Sequence, residues 1–508
     1  MLPAHATILI MNSARAISIG SLLLLGVLSA LLVWNSGSRS GRTGTQQSLL
    51  LYCAAGLKPA VESVVHEYEQ ATGTRVEIQY GGSGTLLANL KVAGRGDLFL
   101  AADEFYLHTA KTNGLVAETI PLARMSPVIA VARGNPKGIR SLTDLTRPDV
   151  RLVLPNPDAA AIGQVARTAL GPQGGWELLA AHALAFKPTV NDLANDLKLG
   201  SADAVILWDS TARQYPEVEA VPGRFFDEAA SEVGIGVLTT CRQPRAALQF
   251  ARYLGAPGHG LAHFEREGFT PVAGDKWVES PELVFYSGGV NRVAIEETLR
   301  QFEEREGVRI NRIYNGCGIL TAQIRAGQKP DGYFACDVSF MTTVADRFGP
   351  SVEMAETTMV IATPAGNPRG LRTLDDLKQP GLKLGVANEQ QSALGALTAR
   401  LLREHRLFDA VMANVVVQTP TADLLVNQLR AGGLDAVIVY EANTIASGDA
   451  IAVTLINLPG ATAIQPVAVS QDTEFPRLME RLLAALGTAE SRARFTSNGF
   501  RWREISRQ

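Results

Sequence analysis

The sequence predicts an α/β protein that consists of two tandem copies of one module. Two observations predict this: long stretches recur without gaps, and each copy alternates short apolar strands with helices. The copies are offset by about 230 residues, which indicates domain duplication rather than a solenoid. The matching pairs are residues 80–103 with 314–337, 134–145 (GNPKGIRSLTDL) with 366–377 (GNPRGLRTLDDL), and 203–208 (DAVILW) with 435–440 (DAVIVY).

The first copy opens with a strand–helix–strand–helix–strand pattern, which is typical of a parallel sheet with crossover helices. The predicted elements are residues 49–53, 57–70, 74–80, 86–93 and 97–101. The middle of the copy repeats the pattern, so each module is expected to have two α/β lobes. The chain should cross between lobes near residues 125–131 and 234–239. Two crossings make a hinge, and a hinged cleft between lobes suits a small ligand.

The division of the chain follows from the repeat. We expect a signal or anchor segment with its linker at residues 1–48, the first module at 49–280 and the second at 281–508. A net charge of −3 gives no indication of a nucleic-acid partner. The sequence has no GxSxG, GxxxxGK[ST], HExxH or GxGxxG motif of common enzymes and contains no CxxC.

An apolar run near the amino terminus extends from Ile17 to Trp34 (residues 17–34) and lacks acidic residues. Its length is just enough to span a bilayer, and a polar linker at 36–48 follows it. The run is either an uncleaved anchor in the inner membrane or a secretory signal peptide. Both interpretations place the two modules outside the cytoplasm, in the periplasm.

Several loops lie where strands lead into helices and are rich in glycine and alanine, such as GGSG at residues 81–84 and PDAAAIG at 157–163. Helix starts with free backbone N–H groups bind anions without a counter-charge, and Ser83 adds a hydroxyl donor at one of them. The alternative is that GGSG forms only a tight turn with a serine cap. His259 and His263 have metal-ligand spacing, although a surface pair on a helix is the expected interpretation.

The layout resembles the periplasmic molybdate-binding proteins, the type II solute-binding components of ABC importers. The matching motifs are YCAAGL, GSGTL, DLFLAAD, PDAAAIG, the DAVILW and DAVIVY strands and the closing GF. The resemblance implies two tandem type II periplasmic-binding-protein modules. In that family two serines, two backbone amides and a tyrosine hold a tetrahedral oxyanion. The implied ligand-binding residues are Gly56, Ser83, Ile162, Val190 and Trp208 in the first module, and Gly289, Cys317, Leu394, Ala422 and Tyr440 in the second.

These residues depart from the family pattern. Gly56 and Gly289 stand where the family has its first serine, Cys317 replaces the second serine, and Trp208 replaces the tyrosine. Each lost hydroxyl removes a donor worth roughly 1–3 kcal/mol to a buried anion. The resemblance therefore implies capture of a molybdate- or tungstate-like oxyanion for an ABC-transporter permease, with another small anion as an alternative. It implies no cofactor, no catalytic residue and no resident metal.

Two different functional classes are also compatible with the sequence. One is a membrane-anchored sensory or scaffold protein, and the second is an enzyme with Cys317 as nucleophile. Cys317 and Cys336 should border the same cleft, and a disulfide within each copy would be compatible with an oxidising compartment. Asp103 and Asp337 follow the third strand of each copy; a carboxylate there could select a protonated or cationic group, but a helix cap or turn role is the expected one. Asp209 and Glu441 should turn away from a bound anion, because like charges repel.

Overall fold

The computed structural model describes residues 48–504 except 224, 227 and 228. The apolar run of residues 17–34 therefore lies outside the described residues. None of the helices within the described range is both long and apolar enough to cross a membrane.

The first module has two sheets, in the strand orders β11-β4-β10-β3-β1-β2 and β7-β6-β8-β5-β9. Its strands are β1 (Ser48–Ala54), β2 (Arg75–Gly81), β3 (Leu98–Ala101), β4 (Val116–Met125), β5 (Pro127–Ala132), β6 (Leu152–Pro155), β7 (Ala185–Lys187), β8 (Ala204–Trp208), β9 (Val218–Ala220), β10 (Ser231–Leu238) and β11 (Thr270–Pro271). Its helices are α1 (Lys58–Thr72), α2 (Ser83–Ala93), α3 (Glu104–Thr112), α4 (Ala161–Leu170), α5 (Gly175–His182), α6 (Val190–Lys198), α7 (Asp209–Gln214), α8 (Pro244–Leu254) and α9 (Gly260–Arg266).

The second module repeats this plan, but one long strand joins its two sheets into the order β13-β12-β14-β20-β15-β18-β16-β17. Its strands are β12 (Glu282–Gly288), β13 (Arg309–Asn315), β14 (Gly332–Phe334), β15 (Val352–Pro364), β16 (Leu384–Ala387), β17 (Val415–Thr419), β18 (Ala436–Tyr440), β19 (Ile451–Leu455), β20 (Thr462–Val469) and β21 (Arg501–Trp502). Its helices are α10 (Arg292–Glu306), α11 (Cys317–Arg325), α12 (Val338–Thr342), α13 (Ala393–Glu404), α14 (Phe408–Met412), α15 (Ala422–Arg430), α16 (Pro476–Leu486) and α17 (Ala489–Ser497).

The predicted fold class is confirmed in both modules. Strands β1, β2 and β3 pair in parallel, as do β6, β7 and β8, and an antiparallel strand extends each set: β10 lies beside β3, and β5 lies beside β8. Helix α1 illustrates the local causes: Pro59 lies in its first turn, and Gly73 ends it with a φ of 71°. Its apolar face, which includes Val61 and Val64, is buried against the sheet. The faces of a parallel sheet are buried, and helices such as α1 cover them.

The chain leaves the first lobe at Ser126, between β4 and β5, as the sequence predicts. Ser126 leaves the strand ladder and pairs with Asp209 instead: its N–H donates to Asp209 Oδ1 at 3.0 Å, and its carbonyl accepts from the Asp209 N–H at 2.9 Å. In the second module the counterpart of this point lies inside the continuous strand β15, whose first half pairs with β20 and whose second half pairs with β18. This strand is therefore common to both lobes.

The predicted return crossing near residues 234–239 is wrong. Strand β10 lies wholly in the first-lobe sheet between β3 and β4, so the chain returns between Ala220 and Ser231. The glycines of this run serve packing rather than hinge motion. A Cβ on Gly234 would lie 2.8 Å from a Leu107 methyl, and one on Gly236 would lie 2.9 Å from a Val116 methyl.

The most recognisable repeat, GNP followed by a short helical turn, forms the same turn in both modules. Asn135 and Asn367 adopt left-handed backbone conformations with φ of 44° and 49°. Each asparagine side chain accepts from and donates to the backbone four residues later, at Ile139 and Leu371 respectively. Asparagine tolerates this conformation better than most residues, so the repeat preserves a turn.

Candidate functional site

In the first module a small cavity of about 20 Å³ lies between the two lobes. Ser83 reaches it from the first lobe, while Ile162, Val190 and Trp208 reach it from the second; Gly56 completes the set. The structure therefore brings all five sequence-predicted residues of this module to one cavity. A space of this size holds about one water molecule, so only a compact solute fits.

Helices α2, α4 and α6 begin at this cavity. Their capping residues Gly82 and Ala160 have no side chain that could bond the helix start, whereas Thr189 caps α6 through the Asp192 N–H. The backbone N–H groups of Ile162 and Val190 find no protein acceptor within the described part of the chain. Such unpaired groups at helix starts carry partial positive charge and favour an anion.

The second module contains a matching cavity of about 20 Å³, lined by Gly289, Leu394, Ala422 and Tyr440. Helix α13 begins at Ala393 and α15 at Ala422, and neither helix start receives a side-chain cap. Here too, within the described chain, the N–H groups of Leu394 and Ala422 have no acceptor. The structure thus places the predicted backbone donors of both modules at the start of helices that face a cavity.

An aromatic residue at the end of β8 and another at the end of β18 form part of the walls of the two cavities. Trp208 and Tyr440 are each 2% exposed and line their respective cavities. The Tyr440 hydroxyl is buried and has no hydrogen-bond partner among the described residues. Burial raises the pKa of Tyr440 well above its ordinary value, so the hydroxyl stays protonated and is a neutral donor.

The lobes meet at a pair of glycines on either side of Ser83. The Gly84 N–H donates to the Ala159 carbonyl of the second lobe at 2.9 Å. A Cβ on Gly82 would lie 2.3 Å from the same carbonyl oxygen, and one on Gly84 would lie 2.1 Å from the carbonyl oxygen of Asp158. Real Cβ atoms do not approach so closely, so only glycine permits this contact between lobes.

The second module repeats this contact around Cys317. The Gly318 N–H donates to the Gln391 carbonyl at 3.0 Å. A Cβ on Gly316 would lie 2.2 Å from the Gln391 oxygen, and one on Gly318 would lie 1.9 Å from the Gln390 oxygen. GSG and GCG are therefore the points at which the first lobe contacts the second.

Ser83 and Cys317 occupy the same structural place. Ser83 Oγ accepts from the Ala102 N–H at 3.2 Å, and Cys317 Sγ accepts from the Cys336 N–H at 3.1 Å. Both side chains are buried, but Ser83 lines its cavity, whereas Cys336 lines the second cavity in place of Cys317. Of the predicted residues of the second module, Cys317 is the one set back from the cavity wall.

The two cysteines of the second cleft are adjacent. Their sulfur atoms lie 3.0 Å (Cys317) and 1.9 Å (Cys336) from the point that a Cβ on Gly288 would occupy. Burial alone would raise the pKa of Cys317, but hydrogen bonds from the Cys336 thiol and N–H lower it. All four cysteines, which lie in the described range, are free thiols, so the disulfide within each copy is not formed.

The equivalence of Gly56 and Gly289 requires correction. Strand β1 ends at Ala54 and β12 ends at Gly288, and each is followed by a short 3₁₀ helix, so Gly289 corresponds to Ala55 and Val290 to Gly56. The sequence comparison of the two copies is one residue out of register at this point because SGGV contains two adjacent glycines. Both Gly289 and Val290 line the second cavity.

Sequence reasoning missed Ser392 and Thr421, which also line the second cavity. Both precede helix starts, at the N-cap positions of α13 and α15. The first-module counterpart of Ser392 is Ala160, so the second module gains a hydroxyl where it has lost others. A serine or threonine before a helix start was the available signal.

Acidic groups stay out of both cavities. Asp103 and Asp337 cap helices α3 and α12 by accepting from the N–H of Phe105 and Ser339, as expected. Asp209 bonds to Ser126 at the lobe crossing. Among the described residues, neither cavity lining contains a carboxylate.

The expected surface helix with His259 and His263 is also corrected. Helix α9 begins only after His259, and His263 is 6% exposed. His263 Nε2 lies 2.8 Å from Glu67 Oε1, and its other ring nitrogen faces Arg266. Nε2 thus joins α9 to α1 through Glu67, while Nδ1 is engaged by Arg266 of the same helix. Within the described residues no cluster of three or more metal-ligating side chains occurs.

A family model for bacterial extracellular solute-binding proteins matches the chain twice, over residues 49–270 and 283–501. The chain belongs to this family. A binding protein of Haemophilus influenzae is 33% identical over 225 residues, which are 44% of this solute-binding protein and 91% of that one. The molybdate-binding protein ModA of Mycobacterium tuberculosis is 29% identical over 260 residues, 48% of this chain and 96% of that protein.

Among solved structures, the periplasmic molybdate-binding protein of Azotobacter vinelandii aligns with a TM-score of 0.39 and 16% identity. The alignment covers 44% of this solute-binding protein and 100% of that chain. Each of these three relatives corresponds in length to about half of this chain. The family model, matched twice, and the identity to ModA confirm the resemblance to the molybdate-binding proteins, with two tandem modules in this chain.

Proposed function

We propose that each cleft of this solute-binding protein captures a small tetrahedral oxyanion of the molybdate or tungstate type. One observation carries the proposal: unpaired N–H groups at helix starts converge on a cavity without acidic side chains, at Ile162 and Val190 in one module and at Leu394 and Ala422 in the other. Neutral donors of this kind stabilise a buried anion without a salt bridge. The similarity to ModA supports the choice of anion.

Binding would be coupled to closure of the lobes. Ser83 belongs to the first lobe and Ile162, Val190 and Trp208 to the second, so the donor set is complete only when the lobes meet. A ligand that contacts both lobes binds the closed state more tightly and shifts the population towards it. The closed form is then presented to an ABC-transporter permease on the outer side of the membrane.

The decisive experiment is titration calorimetry of the full chain with molybdate, tungstate, sulfate and phosphate. We expect binding of at least one of these anions, and a loss of about 1–3 kcal/mol in the first module when Ser83→Ala removes its hydroxyl. Thr143→Ala, at an exposed position outside the cavity lining, is the control. If none of the four anions binds, the proposed function is wrong.

The cellular location is part of the same proposal. The apolar run from Ile17 to Trp34 would export the modules, either as a cleaved signal or as an inner-membrane anchor. Fractionation of cells that express the full chain distinguishes the two, because only an anchored protein stays with the membrane after a high-salt wash. Recovery of the protein in the cytoplasm would contradict both.

A further inference from the structure

The second module has a feature beside its small cavity that deepens the proposed function. A groove of about 590 Å³ adjoins the cavity, and Gly289, Asn315 and Thr421 line both spaces. The cavity itself is about 20 Å³, so the groove offers far more room than a tetrahedral oxyanion needs. The two spaces together suit a solute with a compact anionic head and a larger body.

One side chain distinguishes the counterpart region of the first module. The Gln214 side chain reaches the Gly56 carbonyl, with Nε2 at 3.5 Å from the oxygen. In the second module the sixth residue after the aromatic position is Ala446 instead of Gln214, and Ala446 lines the groove. Ala422 also replaces Val190, but Val290 stands where the first module has Gly56, so this exchange of a small and a branched residue is reciprocal and does not distinguish the two sites.

The groove is lined by groups that recognise hydroxyls and negative charge. Asn427, Ser447 and Asp423 provide hydrogen-bonding side chains, and the buried Asn443 Oδ1 has no partner among the described residues. Arg292 and Arg430 also line the groove and outnumber its one carboxylate. An unpaired buried acceptor costs free energy unless a ligand donor reaches it, and a hydroxylated solute supplies such a donor.

We propose that the second module binds a phosphate monoester of a small polyol or sugar. The phosphate would occupy the cavity at the starts of α13 and α15, within reach of the Tyr440 hydroxyl, and the hydroxylated body would lie in the groove. The first module, with Gln214 at the counterpart of Ala446, accepts the bare inorganic anion. This inference rests on the proposed function, because it uses the same neutral donor set for the anionic head.

The test is calorimetry of the full chain with sn-glycerol 3-phosphate and glucose 6-phosphate, beside molybdate and inorganic phosphate. The variant A446Q carries the first module's side chain at the counterpart position in the groove and narrows the groove, while it leaves the residues of the small cavity unchanged. We expect one ester molecule per wild-type chain and an affinity at least about tenfold weaker in the variant. Binding of the inorganic anions should be unchanged in that variant, which also shows that the variant is folded.

The outcomes separate the two proposals. If inorganic anions bind but neither ester does, or if A446Q leaves ester affinity unchanged, the inference about the groove is overturned and the proposed function stands. If neither esters nor inorganic anions bind, both are overturned. The reciprocal variant Q214A, which removes the side chain at the Gly56 carbonyl of the first module, should raise the ester stoichiometry towards two per chain; no change would count against the role of this side chain.

Discussion

Arg252 of the first module donates to the carboxylate of Glu306 in the second module, with Nη1 3.1 Å from Oε2, and both side chains are nearly excluded from solvent. Arg252 also donates to the Glu306 carbonyl at 2.7 Å. Arg481 completes the cluster, with Nε 2.8 Å from Glu306 Oε1. One buried carboxylate therefore joins α8, α10 and α16, which come from both copies.

We expect Glu306→Ala to lower the free energy of unfolding by about 3–5 kcal/mol, because it leaves two buried guanidinium groups without their counter-charge. Chemical denaturation monitored by tryptophan fluorescence measures the change. Glu304→Ala is the matched control, since Glu304 lies on the same helix and its ion pair with Arg300 is exposed. The control should change stability by less than about 1 kcal/mol. Equal effects for the two variants would show that the cluster does not hold the modules together.

Gly84→Ala should weaken anion binding in the first module by about tenfold or more, because the added methyl meets the Asp158 carbonyl and keeps the lobes apart. Gly318→Ala should do the same in the second module, where the Gln390 carbonyl stands in the way. Titration calorimetry of each variant gives the affinities. Gly258→Ala, at a position with nothing within 4 Å, is the control. An unchanged affinity for Gly84→Ala would contradict a role for this contact in closure.

Tyr440→Phe should separate stability from binding. The hydroxyl that it removes is buried and unpartnered among the described residues, so we expect the ligand-free protein to be as stable as the wild type or more so. Anion affinity in the second module should fall by roughly 1–3 kcal/mol, since the donor is lost. Thermal unfolding with and without anion measures both effects. A variant that loses stability but keeps its affinity would assign Tyr440 to the core alone.

Two carboxyl groups predict opposite pH dependences. Burial raises the pKa of Asp103, although hydrogen bonds from Ser231 and the Phe105 N–H oppose this. Folding thus favours protonated Asp103, and its contribution to stability is lost as the pH rises through the raised pKa. Asp103→Asn has no carboxyl group to ionise at this position and does not lose this stability. Its stability relative to wild type should therefore increase from about pH 4 to pH 7.

Asp144 is the control with the reverse sign. Hydrogen bonds from the Arg140 N–H and the Ser141 hydroxyl lower its pKa below the ordinary value. Its contribution is therefore present at neutral pH and is lost as the pH falls through the lowered pKa. Asp144→Asn should be less stable than wild type at about pH 7, and the difference should shrink in acid. If the stability difference from wild type changed with pH in the same direction for both variants, at least one of the two pKa shifts would have been assigned the wrong sign.

The sequence predicted most of the fold because the duplication doubles every signal. It also placed Ser83, Ile162, Val190 and Trp208 at one cavity, since the resemblance supplied positions that local patterns alone do not carry. It failed where a decision depended on contacts across the fold. Gly234 and Gly236 looked like a crossing but make room for Leu107 and Val116.

The interface between the modules could not be found in the sequence. Arg252, Glu306 and Arg481 lie on three amphipathic helices whose charged positions resemble ordinary solvent-facing ones. Only the packing of one copy on the other buries them. His263 was misjudged for the same reason: its spacing from His259 suggests a surface pair, but the packing of α9 on α1 buries it against Glu67.

The two glycines that flank Ser83 and Cys317 have a consequence for how such proteins diverge. They fix the backbone path by which the lobes touch, and this path does not depend on the residue between them. That residue can therefore change from a hydroxyl to a thiol while the lobe contact persists, as the two copies demonstrate. After a duplication, one copy can then acquire a new ligand preference by single substitutions, and the two lobes of that copy can still close at every intermediate step.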